Sequence, residues 1–158
     1  MNKLNHVAFI MDGNGRWGKK RKKGRNFGHI NGVKTVRKIV EASIKFKIPI
    51  ITFYVFSTEN WKRPRTEINF LFQLLIKYFN QEIKNVISNG IKINIIGKTN
   101  PLSANVKKIL KASVEKTKLN KKIILNLALN YGSRDEILRA INKIKNKNKL
   151  TEKIVSKN

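Results

Sequence analysis

The chain has 158 residues, 41% of them hydrophobic and eight of them Phe, enough for one folded domain that hides about 70% of its unfolded surface. It carries 35 Lys and Arg against nine Asp and Glu, a net charge of +26, and no cysteine, which excludes disulfides and thiolate metal sites. No apolar run nears the roughly 20 residues of a membrane span, and the N-terminus does not read as a signal peptide, so a cytoplasmic protein with at most peripheral membrane contact is expected.

In chain order, His6 to Met11 reads as a buried strand that ends in the turn residues Asp12-Gly13-Asn14-Gly15. From Gly28 onward, Ile30, Val33, Val36, Ile39, Val40 and Ile44 recur at helical spacing until Pro49. Ile50 to Phe56 is a second strand, rich in β-branched and aromatic residues. After a loop through Pro64, Thr66 is placed to cap a helix carrying Ile68, Leu71, Leu75, Phe79, Ile83, Val86 and Ile87. Its apolar stripe is widened by Phe70, Leu74 and Ile76 beyond what one face needs.

Gly90 ends that helix and Ile91 to Ile96 is a third strand. Ser103 can cap a helix with Val106, Ile109, Leu110 and Val114 on one face. Ile123 to Leu129 is a fourth strand, and Ile137, Leu138, Ile141 and Ile144 stripe a last helix. Alternating near-continuous apolar strands and helices predict an α/β fold, a single domain over residues 1–145 with a mainly parallel sheet flanked by helices. Residues 146–158 read as a polar, lysine-rich tail with a weak Leu150 to Val155 segment.

In parallel sheets ligands bind beyond the carboxyl ends of the strands, where the loops after Met11 and Phe56 lie. Gly13 and Gly15 let a ligand approach backbone amides, and Arg16 can grip a pair of phosphate oxygens. Asp12 is one of two aspartates in the chain and is suited to Mg²⁺, which takes one or two carboxylates beside water and phosphate. An ordinary Asp-Gly, Asn-Gly turn is the alternative. The spacing fits neither a calcium loop nor a Walker A loop.

The segment His6-Val7-Ala8-Phe9-Ile10-Met11-Asp12-Gly13-Asn14-Gly15-Arg16-Trp17 resembles the opening signature of the cis-prenyltransferases of the undecaprenyl diphosphate synthase type. The likeness continues in Arg25-Asn26-Phe27-Gly28-His29, in Phe56 to Pro64 and in Asn130-Tyr131-Gly132-Ser133-Arg134. It implies Mg²⁺-dependent condensation of isopentenyl diphosphate with an allylic diphosphate, usually farnesyl diphosphate. The product is a cis-polyprenyl diphosphate such as the C55 cell-wall lipid carrier, built in a hydrophobic tunnel by a homodimer.

Carried over by motif, Asp12 would hold the metal and assist departure of the allylic diphosphate. Gly13, Asn14, Gly15, Arg16 and Arg25 would cradle that diphosphate, and His29 would contact substrate. Trp17 and Trp61 would line the isoprenoid's route, with core packing as the alternative. Ser57, Thr58, Glu59, Asn60 and Arg63 form the second loop and would contact substrate, and the family assigns Asn60 to the proton lost from isopentenyl diphosphate. A neutral amide is a poor base, so orienting the substrate while pyrophosphate takes the proton is the easier chemistry. Read without the family, Ser57 to Asn60 is a capping loop.

The family's later Arg-x-(Ser/Gly)-Gly-Glu-x-Arg-x-Ser-Asn type segment has no counterpart here, which implies binding of the allylic diphosphate with poor turnover. Most of the positive charge is lysine accompanied by Asn and Ile, as A+T-rich coding produces. The cluster Arg16 to Arg25, seven of ten residues basic, is the exception that would attract diphosphates or a membrane surface. A nucleic-acid-binding protein and a non-catalytic partner subunit are the rival readings; no nucleic acid is expected, since no recognised motif supports it.

Overall fold

A computed structural model of the chain describes residues 4–144, 151 and 154. Strands β1 (His6–Ile10), β2 (Ile50–Ser57), β3 (Ile91–Ile96) and β4 (Ile123–Tyr131) form one parallel sheet in the order β1-β2-β4-β3. Helices α1 (Asn14–Lys20), α2 (Gly24–Lys45), α3 (Arg65–Ser88), α4 (Ala104–Thr117) and α5 (Ser133–Lys143) connect and flank the strands. This is the expected single α/β domain. Its core holds Ile51, Phe53, Ile123 and Leu129 of the central strands against Ile68 of α3 and Val106 of α4. Central strands covered on both faces are largely apolar, and the polar Thr52 of β2 and Asn126 of β4 are hydrogen-bonded to each other at 3.1 Å.

Several element boundaries differ from expectation. A short helix, α1, occupies the basic cluster, and α2 starts at Gly24 rather than Gly28. Neither shows a periodic apolar stripe in its first turn, so hydrophobic spacing could not reveal them. Their packing is backbone against backbone: a Cβ added to Gly28 would lie 1.8 Å from the Asn14 carbonyl oxygen.

Thr66 is not the cap of α3. Pro64 holds that place, its carbonyl accepting from Ile68 N–H at 3.1 Å, because a proline there forfeits no helical N–H. Ser103 does cap α4, accepting from the Val106 N–H. On α5 the foreseen stripe does not face the core as a whole: Ile137 and Leu138 are exposed, while Ala140 and Ile144 are buried. The proposed tail beyond residue 145, and its Leu150 to Val155 segment, lie outside the described residues apart from Thr151 and Ile154.

Candidate active site

Both candidate loops lie at the carboxyl end of the sheet, after β1 and β2, as the topology requires. Gly13 precedes α1 with φ of +84°, a left-handed conformation that glycine adopts without steric cost. The reversal aims the Asp12 carboxylate back over the start of α1. There it accepts hydrogen bonds from the Gly13 N–H and from Arg16 Nη2, the latter at 2.9 Å. The Gly13 hydrogen bond, then the Arg16 charge, hold the Asp12 carboxyl below its ordinary value. Asp12 is 71% exposed and thus ionised and open to a ligand.

Behind this turn the absence of a side chain at Gly15 makes room for Arg25, whose guanidinium carbon would lie 2.9 Å from an added Cβ. Arg25 is fixed in turn by Glu67 of α3 through a two-pronged pair, Nε to Oε2 and Nη2 to Oε1, both 2.9 Å. Glu67 is 9% exposed and also contacts His29 Nε2 at 3.1 Å and Arg63 Nη1 at 3.5 Å. Burial raises the Glu67 carboxyl, but hydrogen bonds from Arg25 and His29 outweigh it and the net displacement is downward. Burial lowers His29 against the pull of Glu67, so the ring is neutral near pH 7 and its Nε2–H donates to the carboxylate.

Glu67 escaped the sequence reading. The available signal was a carboxylate four residues before Leu71, in line with the apolar stripe of α3, where an unpartnered charge would be costly.

The second loop is a 3-10 helix, Thr58–Lys62, entered from Ser57. The Ser57 N–H donates to Asn60 Oδ1 at 3.2 Å, so the capping reading of this loop holds. An N–H can only donate, so Oδ1 is the acceptor and the Asn60 Nδ2 donor is left for a ligand. Asn60 therefore presents a donor rather than a base.

A small polar pocket is lined by Asp12, Gly13, Asn14, Gly15, Arg16, Arg25, His29 and Arg63. It joins a cavity of about 850 Å³ whose mouth carries Asp12, Asn14, His29, Ser57, Glu59, Asn60 and Arg63. Beyond the mouth the walls are apolar, with Val33, Val36 and Val40 of α2 facing Leu71, Leu75 and Phe79 of α3 over the floor of the sheet. Deeper in, Arg37 of α2 reaches Glu82 of α3 at 3.3 Å, an ion pair across the cavity's side.

Three expected substrate contacts line neither space. Trp17 lies on the outside of α1, stacked on Phe27 at 5.7 Å beneath Arg21. Trp61 packs on Phe56 and Phe72, and its indole N–H donates to Asn130 Oδ1 at 2.7 Å. Thr58 stands against Gly132 at the end of β4.

Mg²⁺ needs one or two carboxylates plus oxygen from water and a phosphorylated ligand. Among the described residues no cluster of three or more His, Asp or Glu could cage a metal by itself. An exposed Asp12 beside an arginine-lined pocket fits an ion shared with a ligand phosphate.

The prenyltransferase family model for undecaprenyl diphosphate synthases matches residues 10–158. An isoprenyl transferase of Fusobacterium nucleatum is 46% identical over 154 residues, covering 96% of this chain and 67% of the relative. A ditrans,polycis-undecaprenyl-diphosphate synthase ((2E,6E)-farnesyl-diphosphate specific) of Buchnera aphidicola is 46% identical over 141 residues, covering 89% of this chain and 57% of the relative. The crystal structure of a "probable undecaprenyl diphosphate synthase" from Campylobacter jejuni superposes with TM-score 0.80 at 34% identity, covering 99% of this chain and 69% of that one. Lavandulyl diphosphate synthase from Lavandula x intermedia shares the fold, with TM-score 0.89 at 24% identity over 97% of this chain and 69% of that one. The chain thus spans between about half and two-thirds of the length of these curated relatives.

Proposed function

The chain belongs to the undecaprenyl diphosphate synthase family of prenyltransferases, and from that premise we propose that its two loops bind an allylic prenyl diphosphate for condensation with isopentenyl diphosphate. The observation that carries this reading is the junction of the arginine-lined pocket with an apolar cavity of about 850 Å³. Arg16, Arg25 and Arg63 take the diphosphate head, and the space between α2, α3 and the sheet takes the hydrocarbon tail. A cavity within the usual 300–1,000 Å³ range of ligand sites, polar at one end and apolar along its length, suits a molecule of that polarity.

Asp12 would hold Mg²⁺ jointly with the diphosphate, and when bound the ion neutralises charge that develops on the leaving pyrophosphate. Arg16 stands 2.9 Å from Asp12 and adds a fixed positive charge to the same position. Asn60 offers Nδ2–H to a substrate oxygen and so orients rather than deprotonates. The walls contributed by Leu71, Leu75 and Phe79 keep the hydrocarbon tail out of water.

Titration of the chain with farnesyl thiolodiphosphate, followed calorimetrically with and without Mg²⁺, tests the reading. Saturable binding that strengthens with Mg²⁺ and is lost in Asp12→Asn is expected. Equal binding by wild type and Asp12→Asn, with or without the metal, would overturn it.

A further inference from the structure

We propose that Asn130 is a positioning residue that sets the aim of Asn60 and Arg63; the proposal rests on the reading that these loops hold a diphosphate. The pairing of β2 with β4 runs Tyr54 to Ala128, then Phe56 to Leu129, then Ser57 to Tyr131. Val55 on one strand and Asn130 on the other are each left without a counterpart, so the pair carries bulges where β2 leads into the second loop. Bulges re-aim side chains and are frequent beside functional sites. Asn130 adopts φ of +49°, a left-handed conformation that a residue with a Cβ enters at a cost.

Its buried side chain is fully used by that conformation. Nδ2 donates to the carbonyl oxygens of Lys98 at 3.1 Å and Asn100 at 2.7 Å, while Oδ1 accepts from the Trp61 indole N–H at 2.7 Å. One amide thus ties the loop after β3 to the loop after β2. Two donations from Nδ2 and one acceptance at Oδ1 are required, whereas a Ser or Thr hydroxyl has a single donor and Asp has none.

Trp61 lies inside the 3-10 helix, where residues three apart fall on one side. Asn60 within the helix and Arg63 at its C-cap, whose N–H donates to the Asn60 carbonyl at 3.1 Å, both line the cavity mouth, whereas Trp61 points away into Phe56 and Phe72. Fixing the indole therefore fixes the rotation of the turn. The direction of the Asn60 donor and the Arg63 guanidinium follows from it.

The test compares Asn130→Gly, which keeps the left-handed backbone and removes the amide, with Trp61→Phe, which removes the indole donor and keeps one aromatic ring to pack on Phe56 and Phe72. In ¹⁵N-labelled Asn130→Gly the Trp61 indole N–H and the Asn60 and Arg63 side-chain resonances should move. In both variants affinity for farnesyl thiolodiphosphate with Mg²⁺ should fall about tenfold, the scale of one weakened hydrogen bond to a charged group. Affinity for Nile red, an uncharged apolar probe of the cavity, should stay as in wild type.

A folded Asn130→Gly with unmoved indole and loop resonances would overturn the proposal, as would equal losses of both ligands. Should Asn130→Gly fail to fold, Trp61→Phe decides: wild-type affinity for the thiolodiphosphate would refute the tie. A wild-type chain that ignores the thiolodiphosphate refutes the diphosphate reading instead, while the resonances still judge the tie.

Discussion

Replacing Glu67 by Gln sets two effects against each other. The carboxylate is 9% exposed and holds Arg25, His29 and Arg63 at once. Breaking a fully buried pair costs about 3–5 kcal/mol, but Arg25 and Arg63 are about one-third exposed and can turn to water, so about 2 kcal/mol is the better figure here. For a chain of this size that lowers Tm by roughly 4–8 °C. On the ligand side, deleting a negative charge roughly 10 Å from a diphosphate gains about 0.4 kcal/mol per unit of ligand charge in water, so about 1 kcal/mol for two to three charges. Freeing an arginine that was held ready costs more, since its side chain carries about 2 kcal/mol of rotamer entropy. Positioning should win by about 1 kcal/mol, and Glu67→Gln should bind farnesyl thiolodiphosphate about fivefold more weakly. Calorimetry below the new Tm measures it. Tighter binding with an unchanged Tm would refute the reasoning and leave Glu67 a mere neutralising charge.

Gly28→Ala should cost about 3 kcal/mol in urea unfolding, because its methyl would sit 1.8 Å from the Asn14 carbonyl and part α1 from α2. Both His29 and Glu67 have lowered pKa values in the fold, so the unfolded chain binds protons more readily and stability is lost on acidification. The loss should begin as pH falls through the ordinary histidine value of 6.5 and grow again below the carboxyl value of 4.5. In His29→Gln the first part should vanish from a plot of unfolding free energy against pH. Leu75→Trp should fill part of the cavity, abolishing Nile red uptake while pyrophosphate binding with Mg²⁺ changes less than about twofold, because Leu75 lies on the apolar wall away from the head-group pocket.

The sheet could be read from the residues because strands buried on both faces, such as Ile50–Ser57 and Ile123–Tyr131, are apolar almost throughout. The two loops were legible for the same topological reason, since strand ends are where such sheets bind ligands. What stayed hidden was held by tertiary packing. Helix α1 is built of Asn, Gly, Arg, Trp, Gly, Lys and Lys, with no stripe to betray it, and is fixed by glycine contacts with α2. Glu67 has meaning only once α2 brings Arg25 and His29 beside α3. Asn130 could not be assigned because a bulge is a property of register between two strands 70 residues apart, visible in neither one.

The surplus of positive charge takes on a different meaning once the ion pairs are placed. With nine acidic residues against 35 basic ones, each carboxylate has a choice of partners. Five of the eight arginines hold one: Arg16 with Asp12, Arg25 and Arg63 with Glu67, Arg37 with Glu41 and Glu82, and Arg139 with Asp135. Three of those arginines, Arg16, Arg25 and Arg63, line the small pocket between the two loops, and a fourth, Arg37, pairs with Glu82 at the side of the cavity. The lysines, by contrast, are spread over helices and loops, with Lys19, Lys20, Lys22 and Lys23 all exposed. The arginines of the pocket are therefore largely offset by their own carboxylates, and under the proposed function selectivity would come from the held geometry of forked side chains rather than from net charge. The lysine field acts at longer range and is screened by salt, so it can raise the local concentration of any polyanion without choosing among them. A composition that by itself suggests nucleic acid thus separates into a field of surface lysines and a small set of paired arginines, and only the paired set depends on the residues of the two loops.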